Sequence, residues 1–574
     1  MFTSLQTLYT CLHPCVHVYK NVNMCTHLVY MFTKSVYMFT KKYASIKNES
    51  FGKNNTGLYY EQWRNILMAD SEQQLPKTPE PYWLDSTTIP TFEKLEEDLE
   101  TDIAIVGGGI TGITAAYLLT QQGKKVTLIE AGNILTGTTG HTTAKITAQH
   151  GLVYYKLIEQ HGIEKAKLYY EANREAIDYI KELVEKHSID CDFSSQDAYV
   201  YGNTEQSVQQ IKSELSAYKE LGIDGEYVDS IPFSIPCQAA LIMKDQAQFH
   251  PLKYLTALIP SILENGGVLY EQTTAMKIVD DGKLTILLRN GHKLTANKII
   301  VASHFPFNDE TGLYFARVHV ERSYILGIKL EEDFPNGMYY SADSPARSLR
   351  YTEMNGEKLI LVGGESHKTG QGMPTYQHYT ALQDFSEQYL SVKEIPYRWS
   401  AQDIVTPDNL PFVGPVTDGH PDVLIATGYA KWGMTNGTIA AKILADYVLE
   451  KPNQYAELYS PSRVNGWGNM IKDNLDVAKH LIGGKLTYAY TTPEDLMNDE
   501  GAIINFNGQK AGCYRDPDGK LHIVDSTCTH MGCEVSWNSG ERTWDCPCHG
   551  SRYSIEGEVL DGPAVEPLKK LQNE

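Results

Sequence analysis

The stretch that most limits how this chain can fold lies between residues 102 and 130. Asp102-Ile103-Ala104-Ile105-Val106 is an apolar run of strand length, and Gly107-Gly108-Gly109-Ile110-Thr111-Gly112 follows it directly. A helical pattern then passes through Ala115, Ala116, Leu118 and Leu119 to Gly123, before Val126-Thr127-Leu128-Ile129 and Glu130. Strand, glycine turn, helix and second strand in so short a span predict a βαβ unit, whose two strands run parallel. Gly107 permits the tight turn, Gly109 lets backbone approach a pyrophosphate, and Gly112 lets the helix close on the strand. The helix N-terminus offers unpaired N–H groups and a positive dipole end to phosphate. Glu130, 23 residues after Gly107, can accept hydrogen bonds from a ribose diol. A bare glycine turn is the structural alternative. The full set of strand, helix and terminal acid specifies a dinucleotide site.

A second constraint sits at the other end of the chain. Five of the ten cysteines (Cys513, Cys528, Cys533, Cys546, Cys548) fall in the last 62 residues, while Cys11, Cys15, Cys25, Cys191 and Cys237 are scattered. Ten cysteines in 574 residues are too few for a secreted disulfide scaffold, and their crowding points to a metal or redox module. Two boxes carry it: Cys528-Thr529-His530-Met531-Gly532-Cys533 and Cys546-Pro547-Cys548-His549-Gly550-Ser551. One Cys and one His from each box give Cys528, His530, Cys546 and His549, the composition of a 2Fe–2S centre with thiolates on one iron and imidazoles on the other. A zinc site uses the same ligand types. Zinc modules usually pair Cys with Cys and His with His, whereas each box here mixes them.

Composition closes off other classes. The formal charge is −21, with 42% hydrophobic and 21% charged residues, which fits a globular protein and argues against wholesale disorder. An acidic chain lacks the clustered Lys and Arg that phosphate neutralisation needs, so no nucleic-acid partner is expected. No run of 18 apolar residues predicts a transmembrane segment. Residues 1–67 stand apart: six Lys, one Arg and two Glu give +5, against 43 basic and 69 acidic residues in the remainder. Tyr30-Met31-Phe32-Thr33-Lys34 recurs seven residues on as Tyr37 to Lys41, and no amphipathic stretch of domain length is present. These residues lack the layout of a secretory signal. The expectation is an extension outside the native protein, with Met68 as the start. A basic surface or targeting segment is the alternative.

Further motifs carry a family resemblance. Gly137-Thr138-Thr139-Gly140-His141-Thr142-Thr143-Ala144-Lys145, Thr406-Pro407-Asp408-Asn409-Leu410-Pro411 and Gly428-Tyr429-Ala430-Lys431-Trp432-Gly433-Met434-Thr435 resemble the flavin-contacting segments of the D-amino-acid-oxidase-like flavoproteins, which include glycine, sarcosine and glutamylputrescine oxidases. The likeness spans residues 101–450, taking in Phe249-His250-Pro251, Gly266-Gly267 and the run Ile299 to Ala302. No second G-x-G-x-x-G is present for a nicotinamide nucleotide, and Gly363-Gly364 is only a pair. The resemblance implies FAD, held by Gly107, Gly109, Gly112, Glu130, Thr142, Thr143, Gly428, Gly433, Met434 and Thr435. It also implies a Rossmann-like FAD-binding domain interrupted by an antiparallel-sheet substrate domain, drawn mainly from residues near 190–235 and 310–400. Residues 151–222 look helical, with Leu157, Ile158, Ala176, Ile177, Ile180 and Leu183 at helix-like spacing.

Residues 488–574 resemble a Rieske iron–sulfur domain, a small all-β fold. By that resemblance Cys528 and Cys546 bind one iron, and His530 and His549 the other. Cys533 and Cys548 form a disulfide between the cluster loops. Ser551 and Tyr553 donate hydroxyl hydrogen bonds to sulfur and raise the potential, and Gly562-Pro563-Ala564 resembles the proline loop over the cluster. The chain then divides into an extension (1–67), a leader (68–100), the FAD-dependent domain (101–450), a linker (451–487) and the Rieske domain.

Together these cofactors suggest a cytoplasmic flavin-dependent oxidoreductase. It would oxidise a small amine or amino-acid-like substrate at FAD and send electrons singly through the cluster to an external one-electron acceptor. Peripheral contact with a membrane electron carrier is compatible with this. The alternatives are a reductase feeding a partner oxygenase, and a non-catalytic redox carrier or sensor. Catalytic candidates are Lys431, Asp403 and His304. Asp403 stands where amino-acid-oxidising members often carry a carboxylate-binding Arg, in Trp399-Ser400-Ala401-Gln402-Asp403, and can favour a cationic amine. Its plain alternative is a turn cap or a pair with Arg398. Lys431 can stabilise reduced flavin or merely face solvent, and His304 can line the active site or serve structure. A chain begun at Met68 is expected to express, bind FAD and keep its cluster. Loss of flavin from that truncation, read by absorbance, would show residues 1–67 to be structural.

Overall fold

The computed structural model describes residues 75–571 apart from 310, 464–473, 475–476, 478–479 and 482–491. The proposed extension, the first part of the leader and much of the linker lie outside the described residues.

Strand Leu99–Val106 pairs in parallel with Val126–Ile129 on one side and Lys293–Val301 on the other. Val268–Tyr270 and Val423–Thr427 extend this parallel sheet at either side, and Phe412–Pro415 adds an antiparallel edge. A hairpin, Ala275–Asp280 with Leu284–Leu288, joins antiparallel to the start of Lys293–Val301. Alternation sorts the central strand's side chains to two faces. Ile103 and Ile105 enter a core with Ile113, Leu119, Leu258 and Ile443, whereas Ala104 and Val106 enter a second core with Ile286 and Val301. A strand buried on both faces explains the unbroken apolar run that marked it in the sequence.

The helix Ile110–Thr120 follows the glycine turn and is buried nearly all round, beneath Pro251–Glu264 and Gly433–Val448. His250 caps the former: its Nδ1 accepts from the Lys253 N–H at 3.3 Å. Residues 151–222 do form helices, Tyr154–His161, Ile163–Lys186 and Glu205–Leu221, with strand Ser194–Gly202 between the last two.

The interrupting domain is a nine-stranded sheet in the order 392–405, 319–330, 357–368, 347–354, 338–341, 194–202, 239–248, 145–146, with 225–228 beside 239–248. Every pairing in it is antiparallel except that of Met338–Ser341 with Ser194–Gly202. The C-terminal region is small and all β: a three-stranded sheet (Glu500–Phe506, Gln509–Arg515, Leu521–Asp525) and a four-stranded one (Ser536–Asn538, Thr543–Asp545, Arg552–Tyr553, Val559–Asp561). Both belong to one compact unit with the larger sheets.

The turn leaves no room for side chains. A Cβ on Gly112 would lie 1.9 Å from the Gly107 carbonyl oxygen. Gly112→Ala should therefore force the helix off the strand and cost about 1–3 kcal/mol. The expected reading is earlier thermal unfolding with flavin released, measured by flavin fluorescence.

Candidate functional site

A cavity of about 1220 Å³ opens along the C-terminal ends of the parallel strands, where open α/β sheets hold their ligands. Gly107, Gly109 and Glu130 line it, as do Thr142, Thr143, Gly433 and Met434. Gly107 has φ +112°, and a Cβ there would meet the Ala302 carbonyl oxygen at 2.4 Å. Glu130 is fixed by two backbone donors: Gly108 N–H to Oε2 at 2.8 Å and Gly132 N–H to Oε1 at 2.9 Å. Each oxygen retains a lone pair for a diol. A bare glycine cradle and an anchored acid fit a dinucleotide.

Three expected contacts are not on the cavity wall. Gly112 packs under Gly107, and Gly428 (φ +81°) faces Thr406, whose Cγ2 a Cβ would meet at 2.4 Å. Thr435 turns inward, its hydroxyl 3.2 Å from the Thr147 carbonyl oxygen and from His150 Nε2. The structure brings in residues that local pattern missed. The Thr139 hydroxyl accepts from the Ile110 N–H at 3.1 Å, and Thr111 bonds the Tyr429 hydroxyl at 2.7 Å. Thr139 lies within the Gly137-to-Lys145 segment, which was the available signal for it.

Lys431 and Asp403 do meet. Lys431 Nζ lies 2.9 Å from Glu321 Oε2 and 3.5 Å from Asp403 Oδ2, and it donates to Ser323 and Ser366. Burial opposes its charge, but Asp403 and Glu321 outweigh that and lift Lys431 above the usual lysine range. The alternative pairing of Asp403 with Arg398 is not found: Arg398 donates to the carbonyls of Pro76, Lys77 and Gly540. His304 lines the same cavity with its Nε2 buried and unpartnered. Lys145, not singled out from sequence, is buried in the wall and donates to the Tyr339 carbonyl (3.0 Å) and the Ser348 hydroxyl (2.5 Å). Burial, aided by Arg350, pushes it down to about 7.

In the C-terminal region the two boxes face each other. Cys533 and Cys548 are joined as a disulfide. Cys546 Sγ lies within 4.8 Å of both sulfurs, but bonded sulfurs are no thiolate ligands. Cys528 and Cys546 are free and buried, and the rings of His530 and His549 sit 5.0 Å apart. The Cys546 thiol, then Tyr553, hold the Cys528 thiol below its usual range. Tyr553 Oη is 3.2 Å from Cys528 Sγ, and Ser551 Oγ accepts from the Ala564 N–H at 3.0 Å, tying the second box to the proline loop. His530 Nδ1 and His549 Nε2 are buried without partners, as a set awaiting metal would leave them. Two thiols and two imidazoles with orphaned nitrogens fit a cluster.

The two regions share one wall. Glu558 to Val565 of the C-terminal region line the dinucleotide cavity, and Arg289 donates to the Val565 carbonyl. Phe315 packs edge-on against both imidazoles, and Asp309 Oδ2 lies 3.8 Å from His530 Nε2. Gln402 donates to the Gly550 carbonyl at 2.9 Å. Replacing Cys533 and Cys548 together by Ser should free the two cluster loops from each other, a loss of about 2–4 kcal/mol for a typical disulfide. Faster loss of iron on warming, followed by the visible band, is the expected outcome.

The comparisons agree with this geometry. The family described as FAD dependent oxidoreductase matches residues 102–447, and the Rieske [2Fe-2S] domain family matches residues 487–572. The protein YhfW of Bacillus subtilis (strain 168), named for a Rieske 2Fe-2S centre, is 50% identical over 498 residues, covering 86% of this chain and 98% of its own. Gamma-glutamylputrescine oxidoreductase of Escherichia coli (strain K12) is 23% identical over 62% of this chain and 85% of its own. The crystal structure of glycine oxidase from Geobacillus kaustophilus superposes with a TM-score of 0.54 at 18% identity, over 64% of this chain and all of that one. That likeness shows the fold. The chain thus belongs to the FAD dependent oxidoreductase family and carries a Rieske domain, with FAD and a 2Fe–2S cluster as its cofactors.

Proposed function

We propose that the protein oxidises a small amine or amino-acid-like substrate at FAD and passes the electrons singly through its own Rieske cluster to an external acceptor. The observation that carries this is the single cavity walled both by the dinucleotide turn and by Rieske residues Glu558 to Val565. When bound, the flavin accepts a hydride and the cluster takes one electron at a time. The residues that would hold the flavin are Gly107, Gly109, Glu130, Thr142, Thr143, Gly433 and Met434, with Gly112, Gly428 and Thr435 shaping the backbone behind them. Cys528 and Cys546 would bind one iron, and His530 and His549 the other. Tyr553 and Ser551 would donate to sulfur and stabilise the added electron.

An amine substrate is supported by two features. One relative is named for gamma-glutamylputrescine. Asp403 lines the cavity beside Lys431, and Glu321 behind them also meets Lys431 Nζ at 2.9 Å, so two carboxylates flank that one ammonium group. These fix a local excess of negative charge that suits an ammonium group and orients it. We place the protein in the cytoplasm. Cys191, Cys237 and Cys513 are free thiols, the ordinary state in a reducing compartment, and the disulfide is confined to the cluster loops. No helix among the described residues is long and apolar enough to cross a membrane. The acceptor is a soluble carrier or one met at a membrane surface.

Anaerobic titration of the purified protein tests the reading: an amine should bleach the flavin and then the cluster. Bleaching by NADH alone would make it a reductase, and bleaching by neither a carrier. A second expectation concerns His549→Cys. All-thiolate clusters of plant type lie near −400 mV, several hundred millivolts below Rieske centres. Substrate should still bleach the flavin in that variant, while turnover with a one-electron acceptor falls sharply. Unchanged multiple turnover would mean that the flavin reaches the acceptor directly.

A further inference from the structure

One side chain of the flavin cavity donates directly to the backbone of the second cluster loop. Gln402 belongs to strand Val392–Val405, lines the dinucleotide cavity and is 4% exposed. Its Nε2 donates to the Gly550 carbonyl at 2.9 Å. Gly550 follows His549, the expected ligand of the histidine-bound iron. Gly550 itself presses on the flavoprotein, since a Cβ there would meet Val320 Cγ1 at 2.7 Å. On the cavity side the Gln402 carbonyl accepts from Thr138 Oγ1 at 3.4 Å, and Thr138 lies in the cavity-lining segment that resembles a flavin-contacting one.

The orientation of the amide is fixed by chemistry. Arg322 is wholly buried and its Nη2 lies 2.7 Å from Gln402 Oε1. A guanidinium can only donate, so the carbonyl end of the amide must face it. The amino end is then left for Gly550. Ser400 takes the other Arg322 nitrogen at 2.7 Å, and Thr369 adds a donor to Gln402 Oε1 at 3.4 Å. Both polar atoms of the Gln402 side chain are therefore engaged, Oε1 by Arg322 and Thr369 and Nε2 by Gly550.

We propose that Gln402 is the positioning residue that couples the flavin cavity to the cluster, its hydrogen bond to the Gly550 carbonyl carrying the electron from one region to the other. Electron transfer falls off less steeply through covalent and hydrogen bonds than across open contact. From the Thr138 hydroxyl through the Gln402 backbone and side chain to His549, every link is one or the other. Each transfer moves one electron from reduced flavin to a ferric ion, which becomes ferrous. The proton left on the flavin goes to solvent, and the external acceptor re-oxidises the iron before the second electron follows. This rests on the electron flow set out under the proposed function.

The test is a flash photoreduction of the bound flavin in the full-length holoprotein, with oxalate as donor, following flavin and cluster bands separately. Gln402→Met keeps the length of the side chain and removes the N–H toward Gly550 without adding a charge. Gln402→Leu removes both bonds. In each variant cluster reduction should slow severalfold after flavin reduction, with the EPR g values and the cluster midpoint potential unchanged. Cluster reduction at the unsubstituted rate in either variant would overturn the proposal. So would a slowing that tracks a shifted midpoint potential, because driving force and not coupling would then be responsible. A cluster that stays oxidised in the unsubstituted protein while its flavin is reduced would instead refute the underlying electron flow.

Discussion

A guanidinium taken wholly out of water must be answered by acceptors, and Arg322 is answered from two regions at once. From its own sheet come Ser400 Oγ and Gln402 Oε1, each at 2.7 Å. From the Rieske region come Asp545 Oδ2 at 3.7 Å and Asp561 Oδ2 at 3.9 Å. Arg552 closes the group, reaching Asp561 Oδ2 at 2.9 Å and Asp545 Oδ1 at 3.4 Å. Deleting one member of the group by substitution would leave a buried charge short of a partner, at a cost of about 3–5 kcal/mol. The ion group therefore sets how the Rieske region docks, and the shared cavity follows from it.

Further hydrogen bonds reinforce that docking. Thr375 Oγ1 lies 2.6 Å from Asn538 Oδ1, Tyr379 donates to Glu541 at 2.5 Å, and Gln371 donates to the Pro547 carbonyl at 3.1 Å. Gly370, φ +71°, sits where a Cβ would strike the Pro547 backbone at 2.8 Å. These contacts surround the second cysteine box and turn the imidazole pair toward Phe315. Of the two imidazoles His549 is covered, at 4% exposed, whereas the His530 side chain keeps 16% of its surface, so an external acceptor meets the His530 side.

What could be read from the sequence was local. The strand before Gly107 and the helix after Gly112 are set by neighbours a few residues away, and so are the cysteine boxes. The two sheets of the flavoprotein were legible through resemblance. The interface was not. Gln402 and Gly550 are 148 positions apart, and Arg289 and Val565 are 276 apart. No periodicity links such pairs. An Arg or Gln in an alternating strand has the same local signature whether it faces water or a second domain.

The two lysines of the cavity show the same limit in electrostatic form. Lys431 drew attention because it lies inside a segment that resembles a flavin-contacting one, yet its charge is met by Glu321 and Asp403 before any ligand arrives. The field it contributes is that of a triad with one positive and two negative members. Lys145 closes the Gly137-to-Lys145 segment, where no role was read for it, and donates only to a carbonyl and a hydroxyl in its described hydrogen bonds. Burial without a carboxylate pushes it down to about 7, so its charge is the more sensitive of the two to what occupies the cavity. Compensation of a charge is a property of the folded surroundings, and the residue's place in a motif does not report it.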